Sequence, residues 1–477
     1  MKIRRDNITL TFGLLLVAQN CCSLPAVEVE ATIKPGEPWQ VFPTRTLSDI
    51  GTLTNALPDA GLSQYGGITG RCVKATGFFR TEKVKERWWL VDPEGCLFIY
   101  RGVASVRTTD TPGASAALTA KFGSDSNWAE GTVALLRQHG FNGVGGWSDT
   151  TALRKVNLPL VYTRLWNFMS SYGRKRGGTF QQPGHTGYPD NCIFIFDPEF
   201  EQFCDDYARA LTETKDDPWL LGHFSDNEMP LPREALRNYL KLPPTDPGYQ
   251  AARKFLETRH GIRASAEDIT TKDVQDFHEF TVGRYFEIVS RAIRKYDPHH
   301  LYLGARLYGA DLRYPEVFKA CGRHVDVVSV NWYRTWTPDA AKLAMWERES
   351  GRPLLITEWY AKGADAGMAN KSGAGWLVRT QRDRGLFYQN FVLALLESRV
   401  CVGWDWFRYM DNDPEDKKVD PSNRDSNKGI VNNRYVPYEP LLSAMKELNE
   451  CTIAVVDHFD GDTKKKPGVR LANEKQP

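Results

Sequence analysis

The sequence predicts an α/β chain built on a (β/α)8 TIM barrel with a short irregular N-terminal extension. Three observations carry that prediction. From about residue 87, short apolar runs alternate with longer amphipathic stretches. Eight runs can be counted: Leu97–Val106, Phe141–Trp147, Leu158–Trp166, Leu220–Ser225, Leu301–Leu307, Val325–Trp332, Leu354–Trp359 and Cys401–Phe407. Each is short and nearly continuous in apolar residues, as strands covered on both faces of a parallel sheet are. Third, the first run carries Arg101-Gly102-Val103-Ala104 where its glycines fall. That is not a glycine-rich phosphate loop, so a doubly wound open sheet lacks its main support.

Taken in order, residues 1–26 read as a secretion signal. Lys2, Arg4 and Arg5 form a basic start, Leu10–Ala18 an apolar stretch, and small residues lie near Cys21 to Ala26. The apolar stretch is too short to span a bilayer of about 30 Å as a helix. Arg4-Arg5 alone is weak evidence for twin-arginine export. Cys21 and Cys22 offer a second reading, a lipid-anchored cysteine, although Asn20 fits poorly before it. Residues 27–85 are rich in Pro and Gly and read as an extended lead-in packed on the barrel. Residues 86–450 form the catalytic barrel, and 451–477 a tail carrying Lys464 to Lys466.

Helices are expected at Trp128–His139, capped by Gly140, and at Pro198–Thr214, Lys272–Tyr296 and Arg382–Glu397. Two inserts leave C-terminal strand ends, Ser170 to Asn191 after the third strand and Pro230 to Asp268 after the fourth. Met410 to Lys428, after the eighth, is highly charged and reads as a mobile lid. A barrel builds its active site at these ends.

Composition excludes some classes. The formal net charge of +2 and the dispersed basic residues imply no nucleic-acid partner. No run after the first 26 residues is apolar enough to cross a membrane. Nine cysteines are scattered without CxxC or a Cys/His cluster, so no metal and no cofactor is implied. Cys96, Cys321 and Cys401 read as buried thiols, with room for one or two bridges elsewhere. Aromatics at 12% with 14 Trp suit either a large core or a cleft stacking sugars.

The chemistry lies in two glutamates. Glu228 follows Leu220–Ser225 and Glu358 stands at the end of the run Leu354–Trp359. A carboxylate at the end of a buried strand is costly unless the site needs it. On the fourth and seventh strands of eight, the two converge across the barrel mouth. Glycoside hydrolysis needs such a pair, one group to protonate the leaving oxygen and one to attack or activate water. Asn227 is placed to hold a sugar 2-hydroxyl. At the other strand ends, Arg306 is read as a partner of the nucleophile or a structural ion pair, and Tyr333 as a donor to it. Asn331 sits beside them on the sixth strand end. Trp147 and Asp149 are candidates for hydroxyl binding, with Trp166, Asn167 and His185 weaker. Of Trp404 and Trp406, alternation is read as turning one to the cavity as a sugar-stacking floor. His223 reads as a core histidine, and His299-His300 as a turn at the barrel's far end.

Longer strings narrow this. Trp88 to Gly95, Phe141 to Asp149, Asp217 to Glu228, and Val402 through Tyr409 to Val431 resemble glycoside hydrolase family 50, the β-agarases, among the clan A retaining enzymes. The resemblance implies double displacement with Glu358 as nucleophile and Glu228 as acid/base, the carboxyls about 5–5.5 Å apart. It implies a raised Glu228 pKa, to which Asp226, two residues earlier on the same strand face, would add unless it binds a substrate hydroxyl. The expectation is a secreted, exo-acting galactan hydrolase whose partner is a carbohydrate. Another clan A glycosidase, acting on a sulfated galactan or other β-glycan, is the alternative. A barrel that binds sugar without turnover is a third reading. The oligomeric state is left open.

Overall fold

The structure, a computed structural model, describes residues 27–50, 61–418 and 423–461. The signal segment 1–26, with Cys21 and Cys22, and the lysines 464–466 lie outside the described residues. Nine parallel strands form one curled sheet. In order around it they are Leu301–Tyr302, Leu220–Phe224, Val161–Leu165, Gly143–Val144, Tyr100–Val103, Cys401–Trp406, Leu354–Glu358, Val328–Asn331 and Leu307–Tyr308. The expected eight runs are all present as strands, but the fifth is split. Its halves form the two edges of the sheet, so the ladder is not a closed eight-stranded one.

The interruption has a local cause. Gly304 at φ +79° and Arg306 at φ +48° leave the extended region between the halves. The backbone there still pairs: Leu303 N donates to His223 O at 2.9 Å and Ser225 N to Gly304 O at 2.9 Å. On the other side Asp326 N donates to Tyr302 O at 2.9 Å.

Two cores hold the sheet. Inside it, Tyr100, Val161, Leu221, Leu303, Leu355 and Val402 meet in one apolar cluster. Outside, helices cover it. The longest, Thr271–Tyr296, begins with a capping box between Thr270 and Asp273, and Gln381–Glu397 begins with one between Thr380 and Asp383. Helix Asp125–Gln138 starts three residues earlier than expected, because Ser124 caps it by accepting from Asn127 N. The stretch 198–214 is an α-helix only over Phe200–Ala208 and a 3-10 helix over Arg209–Glu213.

The N-terminal region is not irregular. Val27–Thr32 pairs antiparallel with Gln40–Thr44 and with Trp376–Val378, which pairs in turn with Ala361–Gly363. This ties the chain's start to the segment that follows Glu358. A separate sheet, antiparallel throughout, contains Ile68–Cys72, Cys96–Phe98, Arg87–Val91 and Arg80–Val84. Cys96, read as a thiol, is bonded to Cys72 in it. Cys321 and Cys401 are free and buried, as expected. Among the described residues, no helix is long and apolar enough to cross a membrane.

Candidate active site

A cavity of about 1130 Å³ opens at the C-terminal ends of the strands, with both glutamates in its wall. A smaller one of about 240 Å³ adjoins it through Trp147, Gly184, His185 and Asn227. The first holds a sugar-sized ligand comfortably.

Glu358 ends its strand, buried, with three neighbours aimed at its carboxylate. Arg306 Nη2 lies 2.8 Å from Oε1, Tyr333 donates its hydroxyl to Oε2, and Trp147 Nε1 donates to Oε1 at 3.4 Å. Burial, then the charges of Glu358 and Glu228, raises the Tyr333 hydroxyl well above its ordinary pKa. That group therefore keeps its proton and stays a donor. Arg306, wholly buried, also donates to Asn227 Oδ1 at 2.7 Å and to Thr357 O at 3.0 Å. One guanidinium thus orients both the residue before Glu228 and the carboxylate of Glu358.

Glu228 stands four residues past the end of its strand, half-buried in the cavity wall, with φ +50°. Its N–H donates to Arg306 O at 3.3 Å. Asn331 Nδ2 donates to Glu228 Oε1 at 2.8 Å and to Asn227 Oδ1 at 3.2 Å, while its own Oδ1 accepts from Thr357 at 2.7 Å. Burial, then the negative charge of Glu358, pushes the Glu228 carboxyl up to about 8. Glu228 is thus biased toward its protonated form, beside a Glu358 that is ion-paired with Arg306. Glu228, Arg306 and Trp147 (φ +67°) are all non-glycine residues in the left-handed region. Each such residue costs about 1–3 kcal/mol, and clustering of that strain is typical of functional sites.

The structure therefore brings together Glu228, Glu358, Asn227, Arg306, Asn331, Tyr333 and Trp147. It places four other expected residues elsewhere. Asp226 does not add to the charge on Glu228. It is buried and accepts from Met169 N at 2.9 Å, Ser170 N at 3.2 Å and Tyr285 Oη at 2.6 Å. Alternation does not carry from 226 to 228, because the strand ends at Phe224 and Glu228 has positive φ. Burial pushes Asp226 up to about 7, and it lines the smaller cavity. Asp149 is an exposed helix cap, accepting from Ala152 N at 3.1 Å. Trp404 and Trp406 are both buried outside the sheet, donating to Tyr388 Oη at 2.8 Å and Lys428 O at 3.0 Å. Two residues apart in one strand, they share a face, and that face meets the helices.

His223 is a core residue, as read. It faces Asp297 Oδ2 at 2.8 Å and accepts from Trp166 Nε1 at 3.0 Å. His300 meets the same Asp297 oxygen at 2.8 Å. These three could group around a metal, but their ring nitrogens are already taken up by Asp297, Trp166 and Asp217 O.

Sequence reasoning missed Asp405. It lies between the two Trp and faces inward, fully buried, accepting from Tyr100 Oη at 3.0 Å. Its Oδ2 has no hydrogen-bond partner among the described residues, and burial pushes the carboxyl up to about 7. A Cβ on Gly145 would lie 2.4 Å from that carboxylate, and one on Gly102 2.1 Å, so the glycines make its space. A lone acid between two Trp in an apolar strand was the available signal. Arg107 and Arg408, which line the cavity, were also missed.

Arg306→Ala leaves Glu358 without its cation. Breaking a buried pair from one side costs about 3–5 kcal/mol, because the remaining charge stays buried. Urea unfolding should show a loss of that size. A loss under about 1 kcal/mol would mean that the pair is solvated and not the anchor of the site.

No family model matches the chain. Beta-agarase B of Vibrio sp. (strain JT0107) is 26% identical, over 83% of this chain and 50% of that protein. Beta-agarase A of the same organism is 24% identical, over 84% and 48%. The chain thus spans about half the length of the curated relatives it matches. Among solved structures, that of BpGH50 superposes with a TM-score of 0.81 at 30% identity, over 91% of this chain and 96% of the other.

Proposed function

Because the chain belongs to glycoside hydrolase family 50, we propose that it is a retaining β-glycosidase cleaving galactose-containing polysaccharides or oligosaccharides. The observation that carries this is the unlike state of the two facing carboxyls. Glu228 is held protonated by burial and by Glu358, while Glu358 is paired with Arg306. In the first step Glu358 attacks the anomeric carbon as Glu228 gives its proton to the leaving oxygen. A covalent glycosyl-enzyme forms and the C–O bond breaks. In the second, ionised Glu228 takes a proton from water, whose oxygen attacks the same carbon, and Glu358 leaves as carboxylate.

The neighbours take positioning roles. Arg306 and Tyr333 orient the nucleophile, Asn331 holds Glu228, and Asn227 faces the sugar. The charge of Arg306 acts on Asp405 through space and opposes the rise that burial gives its carboxyl. We read the curled sheet as a (β/α)8 barrel with a broken fifth strand, residues 86–450 as the catalytic unit, 27–85 as its extension and 451–477 as a tail. Release from the chain end fits inserts that wall the cavity, through Pro183 to His185 on one side and Asn412 and Asp416 on the other. Secretion rests on the basic and apolar start of the sequence.

Product analysis on agarose and galactan oligosaccharides, with the anomer read by NMR, tests the reading. A β-configured first product is expected, and an α-configured one from a β-linked substrate would sink retention. The pH profile gives a second test. The acid form of Glu228 is required, so kcat/KM should hold up to pH about 8 and fall about tenfold per unit above it. A basic limb starting near pH 5 would mean that the site does not hold that proton.

A further inference from the structure

The cavity holds more cations than a neutral sugar needs. Arg408 is the decisive one. It follows the strand Cys401–Trp406, lines the cavity, and is only 8% exposed. Among the described residues no carboxylate reaches ion-pair distance of its guanidinium, and its Nε has no hydrogen-bond partner. Burial, and Arg107 after it, push the guanidinium down to about 10, while Asp411, Asp416 and Glu358 oppose this through space. All three of those acids are engaged elsewhere. Asp411 accepts from Asn427, Gly429 N and Tyr438. Asp416 accepts from Thr109 and from Lys418 N. Glu358 has Arg306 and Tyr333.

A buried guanidinium without an anion is costly to keep, and the cost is recovered when an oxyanion enters. Around it the balance is one-sided. Exposed Arg107 lines the same space, as do Lys34, Arg334 and Lys371, whereas apart from the two glutamates the only acids of the lining among the described residues are Asp110 and Asp416. Lys418 is paired with Asp110, and Lys428 donates to Asn423.

We propose that the substrate supplies the missing anion: the enzyme takes galactan oligosaccharides bearing a sulfate ester or a carboxylate, held by Arg408 and Arg107 beside the scissile bond. This rests on the glycosidase reading above. A planar guanidinium fits either oxyanion through paired N–H donors. Sugar hydroxyls would meet it with weaker, neutral acceptors.

The test uses the full chain and three oligosaccharides: a sulfated galactan, its desulfated counterpart, and a galactan carrying a uronic acid. One anionic substrate should exceed the neutral one at least about 100-fold in kcat/KM, since a site built for a charged partner rejects the analogue lacking it. Which of the two does so identifies the anion. The ratio should drop to about tenfold or less in Arg408→Met and in Arg107→Met, and shrink with added salt. Arg107 is exposed, so its variant decides the matter even if Arg408→Met does not fold. Equal or faster turnover of the neutral substrate overturns the inference and leaves the glycosidase reading standing. If nothing is turned over, calorimetric affinity separates the two. An anionic preference that Arg107→Met removes would support the anion site while the glycosidase reading fails. No such preference would overturn both.

Discussion

Glu358→Ala is expected to lower kcat on a β-linked galactan oligosaccharide by at least about 10⁴-fold, which is about 5.5 kcal/mol of barrier. The reason is specific to this carboxylate. Arg306 at 2.8 Å and the Tyr333 hydroxyl fix both of its oxygens, so no other group near the anomeric carbon can take its place. The same variant should accept azide. The anion fits the space left by the carboxylate, next to the unpaired Arg306, and attacks from the nucleophile's face. Glu228 still protonates the leaving group. One displacement then gives an α-configured glycosyl azide from a β-linked substrate. Retention of more than about 1% of wild-type turnover, or no rescue by azide in a folded variant, would remove Glu358 from the nucleophile's role. Folding must be checked alongside, because Arg306 loses the only carboxylate within ion-pair distance among the described residues.

The legible part of this site was the part that breaks a rule. Glu228 and Glu358 stand out because each is an acid beside a continuous apolar run, and the strand count alone placed them on facing parts of the rim. Arg306, Asn331 and Tyr333 were legible for the same reason, as polar strand ends. What the sequence hid follows from local backbone geometry. The fifth strand reads as one run, but Gly304 and Arg306 take positive φ and split it. Asp226 reads as facing the same way as Glu228 only if the strand continues, and it stops at Phe224. Asp149 has two uses open to an acid before Thr-Thr-Ala, and the helix cap won.

Trp404 and Trp406 show a different limit. Aromatic content is ambiguous between core and sugar platform, and periodicity should have settled it. Residues i and i+2 of a strand share a face, so the pair had to be both in or both out. The inward residue is Asp405, which composition gave no reason to single out. Arg408 was hidden by its surroundings. It precedes a highly charged stretch, where a further arginine reads as solvated, and only its burial marks it.

Glu228→Ala should lose activity in proportion to how much help the leaving group needs. An oligosaccharide leaving group needs a full proton, so its kcat/KM should fall about 10²–10⁴-fold. An aryl galactoside with an acidic phenol needs little, and its first step should be nearly unaffected. The basic limb near pH 8 should vanish with the carboxyl that sets it. Azide gives the sharper result. In this variant Glu358 still forms the glycosyl-enzyme, and azide, which needs no general base, replaces water in the second step. The product is then a β-configured glycosyl azide after two inversions. The Glu358 variant gives the α product after one. The two anomers thus assign the roles independently of rate, and exchanged anomers would exchange the roles. Assignment by rate alone is weaker, since each glutamate shifts the other's charge state and losses in a coupled pair do not add. The stereochemistry is untouched by that coupling. It reports only which face of the sugar was vacated, and in the proposed mechanism the two glutamates act from opposite faces.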